Sequence, residues 1–347
     1  MRILITGSSG LIGSEAVKHF SQYNCDIVGI DNNGRKDFFG NEGDTSSIQE
    51  SLKNTRNYQF HSLDITNIYH LRKIIWADKF DLVIHCAAQP SHDKSAENPA
   101  KDFQINAMAT VSLLDEIRQH SPKATFIFCS TNKVYGDGPN YVPMTEGETR
   151  FEYADNTEGI NSSFNTGNCK IRTPFGVSKL SADCAVQEYG NYFGMNTAVF
   201  RLGCVTGSAQ KGVELHGFLN YLCKCAREDK EFTIYGYKGK QVRDIIHASD
   251  VVSAMHEFWK EPSKGAVFNM GGGKENSVSV LEAIAMVEEL TGKQMNIKYS
   301  PDARKGDHML YITDLRRFKV LYPCWKITKN LKFILEDLLN EDNSAVS

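Results

Sequence analysis

The 347 residues contain no uncharged apolar run approaching the roughly 18 that a membrane-crossing helix needs, so no span is expected. Neither sign of charge is in excess: 39 Lys and Arg stand against 42 Asp and Glu, a formal net charge of −3. That balance excludes a strongly basic nucleic-acid binder and a polybasic membrane-surface protein. The nine cysteines include no Cys-x-x-Cys pair, Cys223 and Cys225 being two apart. No metal site is therefore expected, and the thiols read as reduced, with Cys86, Cys129 and Cys204 in apolar surroundings. Internal repeats and low-complexity tracts are absent. Met1–Gly7 is too short an apolar run for a leader and passes at once into a Gly-rich turn. The expectation is a cytoplasmic protein whose ordinary composition, 41% hydrophobic and 23% charged, excludes disorder as the main state.

Short β-branched runs alternate with helical spacing through the first two-thirds. Strands are predicted at Arg2–Thr6, Asp26–Ile30, Tyr58–Leu63, Leu82–Cys86, Thr125–Ser130, Thr197–Arg201 and Ala266–Met270. Helices are predicted at Leu11–Tyr23, His70–Trp76 and Pro99–His120. Nearly continuous apolar strands joined by helices imply a parallel sheet buried on both faces, an α/β doubly wound architecture. After Gly207 the pattern changes: Val213–Arg227 reads as a helix, Phe232–Tyr235 as an isolated strand and Ser279–Thr291 as an amphipathic helix. These predict a smaller C-terminal α/β lobe of residues 207–244 and 273–347, leaving 1–206 with 245–272 as the larger, nucleotide-binding unit. The chain is expected to return to the large sheet near Asp244–Met270. Asp137–Cys169, polar and rich in Asn, Glu and Thr, reads as an irregular surface excursion. A cleft between the two lobes is the expected ligand site.

Thr6-Gly7-Ser8-Ser9-Gly10-Leu11-Ile12-Gly13 lies between the first strand and first helix, a G-x-x-G-x-x-G spacing. Glycines there let the backbone turn tightly and approach a pyrophosphate, whose charge meets free amides at the helix N-terminus. Asp31 ends the second strand, where a carboxylate accepts hydrogen bonds from ribose hydroxyls and repels a 2′-phosphate. This favours NAD over NADP, although Arg35 lies close enough to accommodate the extra phosphate.

Together with this turn, Asp64-Ile65, His85-Cys86-Ala87-Ala88-Gln89, Asn106, Ser130-Thr131-Asn132-Lys133-Val134-Tyr135-Gly136 and Lys179 resemble the extended short-chain dehydrogenase/reductase family, enzymes that act on sugar nucleotides. Gln241-Val242-Arg243-Asp244-Ile245-Ile246-His247 and Arg304-Lys305-Gly306-Asp307 are similar to that family's diphosphate- and nucleotide-binding segments. Within the family, residues 130–137, Glu148-Thr149-Arg150 and 239–244 are most similar to the CDP-hexose 2-epimerases. The resemblance implies a Rossmann fold and a tightly held NAD contacting Asn32, Asp64, Ile65, Ala87, Ala88, Gln89, Asn106 and Lys179. It implies transient oxidation of a sugar carbinol and return of the hydride to the opposite face. Thr131 would hydrogen-bond the reacting oxygen, Lys179 the nicotinamide ribose, and Tyr135 would pack under the nicotinamide. Gln89, Asn132, Cys204, His216, Gln241, Arg243, Arg304 and Asp307 would contact a nucleotide-diphosphate sugar, with a CDP-hexose favoured. A homodimer is implied, built through the helices Pro99–His120 and Thr173–Phe193, with Val111, Leu114, Cys184 and Val186 on their outward faces.

One position departs from the pattern. Four residues before the lysine, where the family's tyrosine takes the hydroxyl proton, stands Phe175. Three alternatives follow: catalysis is lost, another group is the base, or the change was engineered. His92, with an intrinsic pKa of about 6.5, and Lys133, if burial near Lys179 depresses its pKa, are the replacement candidates. Asn132-Lys133 stands where sugar 4,6-dehydratases carry Asp-Glu, which argues against water elimination. A 4-epimerase, another nucleotide-sugar oxidoreductase and a non-catalytic binder of NAD or sugar nucleotide stay open as alternatives.

Overall fold

The structure, a computed structural model, describes residues 1–214 and 217–340. In chain order it begins with β1 (Arg2–Thr6), α1 (Leu11–Ser21), β2 (Asp26–Asp31), α2 (Gly34–Phe39), α3 (Ser46–Leu52), β3 (Tyr58–Ser62), α4 (Ile68–Ala77), β4 (Leu82–His85), α5 (His92–Glu97), α6 (Pro99–Phe103), α7 (Ala109–His120) and β5 (Thr125–Thr131). A hairpin of β6 (Met144–Glu146) and β7 (Phe151–Tyr153) precedes α8 (Pro174–Asn191), β8 (Asn196–Leu202), β9 (Cys204–Thr206), α9 (Phe218–Glu228), β10 (Phe232–Tyr235), β11 (Val242–His247), α10 (Ala248–Lys260) and β12 (Ala266–Met270). The last third adds β13 (Ser277–Ser279), α11 (Val280–Thr291), β14 (Ile297–Ser300), β15 (Leu310–Tyr311), α12 (Arg316–Leu321) and α13 (Leu331–Leu339).

Seven strands form one parallel sheet in the order β12-β8-β5-β4-β1-β2-β3. Its strands other than the edge strand β3 are largely apolar on both faces because helices cover both: α1 and α10 pack Val17, Phe20, Val252 and Phe258 on one side, and α4, α7 and α8 pack Leu71, Leu113 and Val186 on the other. Each such fully buried side chain contributes about 1.5–3 kcal/mol. The chain order reverses between β1 and β4, which opens a crevice at the carboxyl ends of the strands.

The smaller lobe has its own core of Leu222, Phe232, Ile245, Ile284 and Leu335. There β10 is not isolated but pairs in parallel with β14. Of the return expected at Asp244–Met270, β12 joins the large sheet beside β8, whereas β11 pairs with β9, β13 and β15 in a second, smaller sheet.

Three other expectations need correction. The helix expected at Val213 starts at Phe218, because Gly217 takes a left-handed φ of 85° that cannot lie inside an α-helix. The Pro99–His120 helix is interrupted by a π-helical turn over Gln104–Met108. The 137–169 excursion is not merely superficial: Phe151 and Ile160 are buried, and Ile160 joins the hydrophobic cluster around Tyr135 and Tyr311. The segment 34–52, unassigned from sequence, supplies the short helices α2 and α3.

Candidate functional site

The crevice continues into a cavity of about 450 Å³, within the range of small-molecule sites, that reaches from the Gly-rich turn to the smaller lobe. Its floor is the turn itself. Gly7 has a φ of 69°, and its N–H donates to the Ile30 carbonyl at 2.7 Å. A Cβ on Gly13 would lie 2.0 Å from the Gly7 carbonyl oxygen, so only glycine lets the first turn of α1 close over the loop. Leu11, Ile12 and Gly13 line the cavity at this end of α1, and the amides of a helix's first turn have no intrahelical acceptor. Asp31 closes the wall, held by the Ser9 amide at 3.0 Å and the Asn33 amide at 2.7 Å; burial pushes its carboxyl up, and those amides oppose the shift. Asn32, Arg35, Asp64, Ile65, Ala87 and Ala88 line the same end. The Arg35 guanidinium donates to the Lys211 carbonyl at 2.8 Å, which ties this end to the smaller lobe.

In the middle of the cavity stand Thr131, Asn132, Phe175 and Lys179. Thr173 caps α8 by accepting from the Gly176 amide, and Pro174 at the first helical position favours the start of the helix there. Phe175 and Lys179 are then one turn apart on the face that meets β5. The Lys179 ammonium donates to the Cys129 carbonyl at 2.6 Å and lies 4.1 Å from the centre of the Phe128 ring; burial lowers its pKa to about 8. Thr131 Oγ1 accepts from the Lys133 amide at 3.2 Å. Phe175 is buried, its amide donates to Ser95 Oγ, and its ring brings no proton acceptor.

At the far end five charged groups meet. Asp307 Oδ1 accepts from Arg243 Nη2 at 2.7 Å and from Lys133 Nζ at 3.2 Å, while Arg304 lies 3.9 Å from Asp93. Burial opposes ionisation of Asp307, yet Arg243, Lys133 and Arg304 hold its carboxyl well below the usual range. Lys133 also donates to the Gly306 carbonyl at 3.2 Å. Burial lowers the Lys133 pKa and Asp307 opposes the shift, so the neighbours of this lysine are the Asp307 cluster and not Lys179 as expected. Three cations, two of them on Asp307 and the third within 3.9 Å of Asp93, suit an anion with several oxygens. Cys204 and Gln241 complete the wall; burial pushes the Cys204 thiol up to about 11, which leaves it protonated near neutrality.

Gln89 and Asn106 do not line the cavity. The Gln89 amide donates to the Ser91 carbonyl and to Asp102, while Asn106 donates to the Gln89 carbonyl, Asp102 and Ser178 Oγ. The π-helical turn carries Asn106 inward, and this buried network holds the 87–91 loop from behind. Tyr135 is also turned away: its hydroxyl donates to Asn269 at 2.7 Å and accepts from Arg201, whose guanidinium pairs with Asp183 at 2.9 Å. Asp183 in turn accepts from Ser130 Oγ and so braces the end of β5. Leu114 and Val186, expected on outward faces, are wholly buried in the core. His92 begins α5, but its side chain lies outside the described residues, as does His216.

The cavity also recruits Phe38, Thr45, Phe218 and Val280, none anticipated from sequence. A signal existed for the last: Ser279 and Glu282 form a capping box that fixes the start of α11 at Val280. No cluster of metal-ligating side chains occurs among the described residues, and no helix is long and apolar enough to cross a membrane.

Comparison with known proteins adds the following. A family described as the NAD dependent epimerase/dehydratase family matches residues 3–271. The chain is 33% identical over 324 residues to CDP-paratose 2-epimerase of Salmonella typhi, which covers 91% of this chain and 92% of that one. It is 30% identical over 329 residues to dTDP-glucose 4,6-dehydratase of Salmonella typhimurium, with 90% and 85% covered. Among solved structures it resembles a tyrosine-to-phenylalanine mutant of UDP-glucuronic acid 4-epimerase from Bacillus cereus, solved with a 4-deoxy-4-fluoro analogue of its nucleotide sugar and NAD. That match has 26% identity and a TM-score of 0.79, covering 99% of this chain and all of that one.

Proposed function

The chain belongs to the NAD-dependent epimerase/dehydratase family, and on that premise we propose that it inverts position 2 of a CDP-hexose, as the name of its 33%-identical relative describes. The observation that carries this reading is the single cavity joining the Gly7–Gly13 turn to the cluster of Lys133, Arg243, Arg304 and Asp307. NAD is the family's cofactor, and the residues present fit it: free amides at the start of α1, a carboxylate at Asp31, and a turn that a Cβ on Gly13 would obstruct. NAD, when bound, supplies the acceptor for the carbinol hydrogen and returns it to the other face of the sugar.

The chain's own residues do the rest. Residues 1–206 with 245–272 hold the cofactor, and 207–244 with 273–347, aided by Lys133, hold the sugar nucleotide. Arg243, Lys133 and Arg304 clamp the diphosphate and Asp307 keeps them aligned, which fixes the hexose beside Thr131. The Thr131 hydroxyl orients the reacting oxygen, and the buried Leu202 and Phe175 with the partly buried Val205 exclude water from the transient ketone. Asn132 and Lys133 offer no carboxylate for eliminating water, which sets the chain apart from the dehydratases that it also resembles. The protein acts in the cytoplasm as a homodimer through α6, α7 and α8, with Phe103 and Val177 exposed on α6 and α8, Met108 on the π-helical turn and Tyr192 and Phe193 just past α8.

Proton NMR of CDP-tyvelose incubated with the protein tests the reading. It predicts the 2-epimer, with UDP-glucose and UDP-glucuronic acid untouched. Conversion of the UDP sugars instead would make the protein a 4-epimerase. Tight binding of every nucleotide sugar without conversion would make it the non-catalytic binder that Phe175 favours.

A further inference from the structure

Removing the hydrogen of a carbinol requires a group that takes the hydroxyl proton, and Phe175 cannot be that group. Among the described residues, several titratable side chains surround it and Thr131. Asp307 is held ionised by Arg243 and Lys133, and so is a weak base. Lys133 is itself occupied by Asp307 and the Gly306 carbonyl. A hydrogen bond with the Cys129 thiol, helped by burial, drives the Cys86 thiol further from ionisation, and burial does the same to Cys204. Lys179 differs. It lies on the same helix face as Phe175, on the cavity wall, and makes no ion pair with a carboxylate among the described residues. The groups that face it are the Cys129 carbonyl and thiol on β5, Cys86 and His85 from β4, Asp102 on α6 and Asp183 on its own helix. Asp102 is engaged by Ser178, Gln89 and Asn106, and Asp183 by Arg201, Ser130 and Gln187.

We propose that Lys179 takes over the work of the absent hydroxyl, its ε-amine in the neutral form accepting the carbinol proton. The inference rests on the epimerase reading. As the C–H bond breaks, its hydrogen would leave with the electron pair to the nicotinamide of the family's NAD, the oxidant of this half-reaction and the reductant of the return, while the O–H proton passes to Nζ and the C=O bond forms. On return, the ammonium gives the same proton back to the oxygen as the new C–H bond forms on the opposite face. No other oxidant or proton source is consumed. Burial lowers the Lys179 pKa to about 8, so a usable neutral fraction exists at physiological pH.

Two measurements on the full-length protein decide it. Lysine labelled with ¹³C at Cε reports protonation of each amine directly; the Lys179 signal, assigned by its loss in Lys179→Met, is expected to titrate near pH 8. In turnover of CDP-tyvelose, kcat/KM is expected to rise to a plateau through the same pH. Lys179→Met should lose about 10²–10⁴-fold in kcat while still binding CDP, His92→Asn should lose less than threefold, and Phe175→Tyr should move the acid limb to lower pH. The proposal is overturned if the amine titrates near 10.5, if Lys179→Met keeps a tenth of kcat, or if His92→Asn carries the loss. It also falls if the natural chain is silent while Phe175→Tyr is active, an outcome that leaves the epimerase reading standing. Silence of both removes the epimerase reading itself.

Discussion

Replacing Asp307 by asparagine keeps the shape of the side chain and removes the charge on which the far end of the cavity is balanced. Arg243 at 2.7 Å and Lys133 at 3.2 Å then lose their shared counter-charge. Breaking a buried pair by removing one partner costs about 3–5 kcal/mol. The cluster borders an open cavity, so the lower end, about 3 kcal/mol, applies. With an unfolding entropy of about 2.1 cal/mol/K per residue, that lowers the melting temperature by about 4 °C for a chain of this length. The carboxyl pKa is depressed in the folded state, so its stabilisation is present above the unfolded value and lost as pH falls through the folded one. The gap between natural and variant chains is therefore full at pH 7 and narrows only below about pH 4. The diphosphate of CDP replaces the missing charge, so saturating CDP should raise the melting temperature of the variant more than that of the natural chain. Differential scanning fluorimetry with and without CDP reads both quantities. An Asp307→Asn chain that melts at the natural temperature, or gains less from CDP, refutes the charge-balance argument.

Further outcomes follow from other parts of the molecule. Gly13→Ala places a methyl 2.0 Å from the Gly7 carbonyl oxygen, so the purified variant should carry no NAD by absorbance and gain no thermal stability when NAD is added. His85, locked between Thr6 and Thr110, has its pKa lowered by burial to about 3. Only the unfolded imidazole takes a proton between about pH 6.5 and 3, so stability falls as pH drops through that window. His85→Asn should flatten the slope by up to about 1.4 kcal/mol per pH unit in urea titrations, and an unchanged slope would be inconsistent with a neutral buried ring. Val177→Asp puts a charge beside the exposed Val177 position of α8; sedimentation should then give the mass of one chain, 38.9 kDa, where the proposed dimer of the natural chain is expected to give two.

The large sheet was legible because its strands, the edge strand β3 apart, are largely apolar and change character sharply at Gly and Asp; the strand boundaries at Arg2–Thr6 and Ala266–Met270 coincide with those expected. The phosphate turn was legible for the same reason, since glycine spacing reports backbone geometry directly. What sequence could not resolve was the direction in which polar side chains point. Gln89 and Asn106 sit beside the cavity in the chain but spend their hydrogen bonds behind it, because the π-helical turn rotates Asn106 inward. Tyr135 follows Thr131 by four residues yet is drawn into the Arg201–Asp183 network by a partner 66 positions away. Lys133 shows the converse: its role follows from Asp307, 174 positions distant, a pairing that only the fold brings about. Leu114 and Val186 were misplaced because helices covered on two sides carry little periodic contrast.

The sharpest test of the account uses CDP-tyvelose carrying deuterium on the sugar carbon to be inverted, incubated with the purified protein in ordinary water. Internal return of the hydrogen predicts product in which the inverted carbon keeps its deuterium. Product with protium at that carbon would mean that the hydrogen had exchanged with solvent, and would contradict a cavity in which cofactor and sugar face each other.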